Sequence, residues 1–153
     1  MTRVETVSVI YQYQRVLLGM KKKKFGIGKL NGFGGEVEAG ENLEQAAARE
    51  TFEEAGIQIK PERYGEVLFQ FQTDEQNHLV HFFLAESYIG TPKESDEMKP
   101  EWFDVHKMPY EQMWMADRYC FPLLLQKKRF KGNFLYDKNF QIVKYQLNEI
   151  ESL

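Results

Sequence analysis

Residues 42–56 constrain the fold most, because they carry the start and stop of a helix and an unusual load of charge on one of its faces. Asn42 and Gln45 fit a capping box and Gly56 supplies a left-handed stop, so the spacing predicts a helix over 42–55. At about 100° per residue, Glu50, Glu53 and Glu54 fall within an arc of roughly 100°, so three carboxylates are expected to converge. Ala48, Thr51, Phe52 and Ala55 take the opposite side and can face a core, with Leu43, Ala46 and Ala47 beneath the acidic stripe. Like charges this close raise one another's pKa and cost stability unless a cation neutralises them. Oxygen-only ligands suit Mg²⁺ or Mn²⁺ better than Zn²⁺, and Mg²⁺ is usually shared with substrate phosphates, which points to a polyphosphate substrate. Arg49, four residues before Glu53, stands where a guanidinium can hold a carboxylate in one orientation. A solvated acidic face has the same pattern; what separates the two readings is the segment upstream, residues 25–35, with five glycines in eleven positions. That density marks backbone bent sharply or held close to something.

Around this helix the chain reads as sheet. Residues 4–9 and 15–20 suggest two antiparallel strands joined by a short turn, and 65–73 and 79–86 a hairpin connected through 73–77. Residues 111–128, after Pro109, are helix-compatible, with Pro122 expected in a first turn or at a break. Residues 134–136 and 141–147 resemble a last hairpin. The order sheet, glycine loop, helix, sheet, helix, sheet predicts a mixed α/β layer structure in one domain, 1–153. The net charge of −3 argues against wrapping long nucleic acid. No apolar run is long enough for a membrane span or a secretion signal, and the one cysteine, Cys120, permits neither an internal disulfide nor a thiolate zinc cage. A cytoplasmic monomer is expected. Lys21 to Lys24 read as a solvated turn, and His78 and His81, three apart in a strand, face opposite sides as structural or exposed residues.

Gly35, five residues, Glu41, seven residues, Arg49-Glu50, then Glu53-Glu54-Ala55-Gly56 resembles the Nudix box. The one departure is Thr51, where an aliphatic residue is usual; its methyl can still pack. The resemblance implies the Nudix fold, an α/β/α sandwich around a mixed β-sheet. It also implies metal binding by Glu50, Glu53 and Glu54 with a carbonyl from Gly34, and hydrolysis by water attacking a phosphorus. Glu54 is the first choice of base and Glu53 the second, with Arg49 orienting. Beyond the box, residues 15–21, 31–35, 90–98 and 121–128 resemble one subgroup, which hydrolyses oxidised purine nucleoside triphosphates such as 8-oxo-dGTP. From that likeness Glu97 is a further metal-site carboxylate, Asn31 and Asp117 read the base edge, and Phe25, Phe69 and Trp114 wall the base pocket. Thr6, Lys21 and Phe33 match lesser pocket positions.

Two departures bear on substrate choice. The subgroup has two adjacent carboxylates where this chain has Ala116-Asp117, and Leu30 replaces a tryptophan beside Asn31. Two neighbouring carboxyls can share a proton and match alternative base edges; one cannot. Asp117, alone and ionised, is expected to favour guanine-type edges over an oxidised adenine. Three functions remain open on these residues: the sanitising triphosphatase, a Nudix hydrolase of another nucleotide (a methylated purine triphosphate, dGTP, a dinucleoside polyphosphate or ADP-ribose), and a nucleotide sensor without turnover.

Overall fold

The computed structural model describes residues 1–153, the side chain of Glu75 excepted. Its strands are β1 (Thr2–Gln12), β2 (Arg15–Lys21), β3 (Leu30–Asn31), β4 (Gln58–Ile59), β5 (Glu62–Phe71), β6 (Asp74–Ala85), β7 (Tyr88–Ile89), β8 (Met98–Asp104), β9 (Phe130–Tyr136) and β10 (Ile142–Glu149). The α-helices are α1 (Leu43–Ala55) and α2 (Asp117–Leu125). The main sheet runs β10-β9-β5-β6-β1-β2-β3, with β8 also on β2, and β4 pairs with β7 apart from it. It is mixed, as expected: β1 lies parallel to β6 and β5 parallel to β9, while the remaining pairs are antiparallel.

Strand alternation sends successive side chains to opposite faces, and this sheet uses both. Val9, Val16, Leu18, Val80, Phe82 and Leu84 meet Ala116, Cys120, Phe121 and Leu124 of the α2 segment in one core. Ile10, Leu17 and Ala85 meet Ala55 of α1 and Ile57 in the other. One helix on each face is the α/β/α arrangement anticipated above.

Helix α1 starts and stops where its caps dictate. Asn42 Oδ1 accepts from Gln45 N–H at 2.7 Å, Gln45 Oε1 accepts from Asn42 N–H at 2.9 Å, and Gly56 closes the end at φ 74°. The apolar side differs from expectation. Ala46, Ala47, Thr51 and Ala55 are buried, but so is Glu54, while Phe52 is exposed. Thr51 fits because its hydroxyl donates to the Ala47 carbonyl at 2.8 Å and leaves the methyl to pack.

Elsewhere tertiary contacts override local pattern. Strand β8 carries Pro100 and alternates charge with aromatics, so nothing local marks it; it survives as an edge strand paired with β2 alone. The hairpin of β5 and β6 turns at residues 72–73, tighter than 73–77, because Phe71 already pairs with Asp74. The helix expected over 111–128 is only 117–125, preceded by a 3₁₀ turn at Tyr110–Gln112, and Pro122 sits inside it. No side chain caps its start; instead the buried Ala116 N–H donates to Tyr136 Oη at 3.0 Å, a partner twenty residues away.

Candidate active site

The glycine segment owes its composition to a close approach. Beyond residues 10–12, where β1 pairs with β2, residues 33–37 run antiparallel along the start of β1: Thr6 N–H donates to the Gly35 carbonyl at 2.9 Å and Val37 N–H to that of Val4 at 2.9 Å. A Cβ on Gly34 would stand 1.6 Å from the Thr6 carbonyl oxygen, and one on Gly35 would stand 2.7 Å from Glu50 Oε1. Lying this close, the segment presents Gly34 N–H to Glu54 Oε1 at 2.9 Å and so ties loop to helix.

Arg49 organises the acidic face. Its Nε and Nη2 hold Glu41 in a two-point contact at 2.7 and 3.0 Å, and its Nη1 reaches Glu50 at 2.9 Å. Nη1 also approaches Glu53 at 3.3 Å. Glu53 is the more open of the two, its side chain 56% exposed. Glu50, Glu53 and Glu54 share one groove, with Glu53 at its exposed rim; among the described residues no three acidic, His or Cys side chains form a ready cage. Glu97 joins Glu50 and Glu54 from a distant segment, close enough to push both carboxyls up. Burial pushes Glu54 up to about 8, against the pull of the Gly34 N–H and with the push of Glu50 and Glu97. Burial likewise raises Glu50, against Arg49. Lys24 stands 3.9 Å from Glu97, at the fringe of the group. A buried carboxylate facing two others and satisfied by one N–H is a donor set that a hard divalent cation fits, with phosphate oxygens completing the shell. Gly34, Arg49, Glu50, Glu53, Glu54 and Glu97 all line this groove, of about 510 Å³.

An adjoining cleft is lined by Thr6, Lys21, Phe25, Asn31, Phe69, Trp114 and Asp117, every expected pocket residue except Phe33. Phe33 is fully buried in the α1-side core with Ile10, Leu17 and Ala55, pressed against Gly19 and paired with Ser8, so it belongs to the packing beneath the site. The cleft holds about 140 Å³, less than the ~300–1,000 Å³ of a whole-ligand pocket, which is room for only one flat part of a larger molecule. Phe25 stacks on Trp114 at 5.4 Å between centroids, and Phe140 closes on both from the turn between β9 and β10.

Several lining residues carried no local signal. Phe71 and Tyr136 stack on each other as cleft walls, and Lys29 lies 5.0 Å over the Trp114 ring. His78 also faces the cleft, correcting the structural-or-exposed reading, while His81 is buried beside Arg63. The basic run is similarly divided: Lys21 lines the cleft and Lys22 pairs with Glu94 at 2.7 Å.

Asp117 is buried at the α2 start, with Oδ2 lacking any partner among the described residues. Burial pushes its carboxyl up to about 7, against a hydrogen bond at the Trp114 backbone and the charge of Lys29. The expectation of an ionised reader is therefore corrected: with its carboxyl pushed up to about 7, Asp117 can either donate or accept near neutrality. Ala116 contributes a buried methyl to the α2-side core and does not line the cleft.

The raised pKa has a thermodynamic sign. An acid with a higher pKa when folded keeps a proton that the unfolded chain has lost, so stability falls as pH rises from about 4 to about 7 and then levels. Asp117→Asn removes this contribution. In urea melts at pH 5 and pH 7.5, the pH-dependent loss should shrink by on the order of 2 kcal/mol in the variant. An unchanged loss would mean that Asp117 is solvated.

A NUDIX domain model matches residues 1–124. The chain is 48% identical to the oxidized purine nucleoside triphosphate hydrolase of Danio rerio over 153 residues, covering 99% of this chain and 98% of that one. It is 44% identical to the Mus musculus protein of the same description over 152 residues, covering 99% and 97%. Among solved structures, a MutT protein from Bacillus halodurans superposes with a TM-score of 0.86 at 28% identity, covering 95% of this chain and 97% of that one. Among the described residues, no helix is long and apolar enough to cross a membrane.

Proposed function

Because the chain belongs to the Nudix family and is a hydrolase, we propose that it cleaves oxidised purine nucleoside triphosphates, 8-oxo-dGTP foremost, to the monophosphate and pyrophosphate. The observation that carries this reading is the continuity of an aromatic cleft, ending on Asn31 and buried Asp117, with a groove lined by Glu50, Glu54 and Glu97. A purine fits the first and a polyphosphate the second. Phe25, Phe69 and Trp114 supply faces for the ring, and Asn31 and Asp117 supply donors and acceptors for its edge. Thr6 and Lys21 stand along the cleft wall, with Lys21 carrying the positive charge suited to a phosphate.

We assign Glu50, Glu54, Glu97 and the Gly34 carbonyl to a divalent ion, Mg²⁺ with Mn²⁺ as its substitute, and Glu53 to its outer edge. Bound there, such an ion supplies Lewis acidity toward the phosphate oxygens and the leaving pyrophosphate. Glu54 is the base: it takes a proton from the attacking water while a new P–O bond forms and the bridging P–O bond breaks. Its burial and its hold by Gly34 N–H support this over the more exposed Glu53. Arg49 fixes Glu50 and Glu41 and so keeps the acidic face in register. A reducing compartment, the cytoplasm, suits a chain whose one cysteine is buried and free, and we infer that the enzyme acts as a monomer on a small nucleotide.

The test is pyrophosphate release with Mg²⁺, compared as kcat/KM across 8-oxo-dGTP, 2-hydroxy-dATP, dGTP, a methylated purine triphosphate and ADP-ribose. We expect 8-oxo-dGTP to lead. Its margin over 2-hydroxy-dATP should widen from pH 6 to pH 8, as Asp117 loses the proton that lets it donate. A lead by any other nucleotide would keep the fold and groove and reject this substrate.

A further inference from the structure

The base cleft and the phosphate groove meet where Glu5, Lys21, Gly34, Gly35 and Glu54 line both. A nucleotide with its base in one and its phosphates in the other must lay its sugar across that junction. Glu5 is the junction carboxylate on the β1 side, and its Oε1 accepts from His78 Nδ1 at 2.6 Å. The imidazole is held a second time by stacking almost parallel to Phe25, at 7° and 5.9 Å between centroids, and edge-on to Phe71. One ring nitrogen is thus committed to Glu5, and among the described residues Nε2 has no hydrogen-bond partner. Glu5 Oε2 is also lightly held: Arg3 comes only to 3.8 Å, its Nε being engaged with Glu36 at 2.8 Å.

Resting on the substrate reading above, we propose that Glu5 and His78 form the sugar-recognition element, which accepts and orients a hydroxyl of the nucleotide sugar. A carboxylate oxygen facing the junction is a strong acceptor for an O–H donor, and a charge-assisted hydrogen bond of this kind distinguishes a sugar that has the hydroxyl from one that lacks it. His78 is a positioning residue: it fixes the carboxylate at one oxygen and couples it to Phe25, a wall of the base cleft. A mere packing role would require neither the 2.6 Å contact nor a carboxylate at the place where the two grooves join.

The experiment compares kcat/KM for the deoxyribo and 2′,3′-dideoxyribo forms of the same 8-oxo-guanine triphosphate, with wild type, Glu5→Ala and His78→Met. Wild type should prefer the deoxynucleotide by about tenfold, the scale of one hydrogen bond to a charged group. In both variants the ratio should fall to within about twofold of unity. Thermal melts identify a variant that fails to fold, and because the two changes lie on different strands, either one alone decides the matter. A wild-type ratio near one, or a ratio kept in a folded variant whatever its absolute rate, overturns the inference. Absence of hydrolysis of the deoxynucleotide by wild type would instead reject the substrate reading, and this inference with it.

Discussion

Replacing Glu54 with Gln should lower kcat about a thousandfold and at the same time make the metal-free protein more stable at pH 8. The rate effect follows from removing the proposed base, whose contribution by proton transfer alone is on the order of 10²–10⁴. The stability effect follows from the same burial. Glu54 is only 4% exposed, and its carboxyl is pushed up to about 8, so in alkaline buffer the folded state must bury a charge or retain a proton, whereas the unfolded chain ionises freely in water. The penalty grows as pH rises from about 4.5 toward 8 and is on the order of 3 kcal/mol at its upper end. Gln keeps the acceptor for Gly34 N–H and carries no charge. Melts in EDTA at pH 8 should place the variant several degrees above wild type, and added Mg²⁺ should raise wild type more than the variant. A variant that retains its rate would remove Glu54 from the chemistry. One that melts no higher than wild type would show the carboxyl to be better solvated than its surroundings indicate.

Gly34→Ala should be the most damaging single methyl in the molecule. Its Cβ would sit 1.6 Å from the Thr6 carbonyl oxygen, which is backbone and cannot rotate aside. Relief requires the segment 33–37 to part from β1 and gives up bonds such as Thr6 N–H to Gly35 O. We expect a loss of about 3 kcal/mol and a fall in Tm of roughly 10 °C. Activity should fall further than stability, because the Gly34 N–H that holds Glu54 moves with the loop. A variant melting within about 2 °C of wild type would show that the two backbones are not in contact in solution.

Helix α1 was legible because everything that defines it is local: a reciprocal cap, a glycine stop and a repeat of acids. The destination of those acids was less legible. Helical spacing groups Glu50, Glu53 and Glu54 on one groove, but the arrival of Glu97 from a distant segment leaves no mark in that spacing. Most residues matched as a pocket set line the cleft, as Asn31, Trp114 and Asp117 do. Phe33 does not, because an apolar ring next to Ser8 gains more by filling the core under the glycine segment. Strand β8 and the short α2 rest on pairing with β2 and on the Tyr136 hydroxyl, partners that no window of neighbouring residues contains. The protonation of Asp117 likewise depends on what surrounds it in space, and its type alone suggested an ion.

The hairpin of β9 and β10 begins after the last residue that the family model matches, yet it sends Tyr136 to the cleft and Phe140 over its aromatic wall. One wall of the cleft is therefore supplied from outside the stretch that the family model matches. The residues we assign to hydrolysis lie in the first four-fifths of the chain, while the C-terminal arm packs into the core and closes over the base cleft. Because the Tyr136 hydroxyl accepts from Ala116 N–H beside Asp117, the arm and the base reader are tied together, and exchanging the hairpin would move both at once.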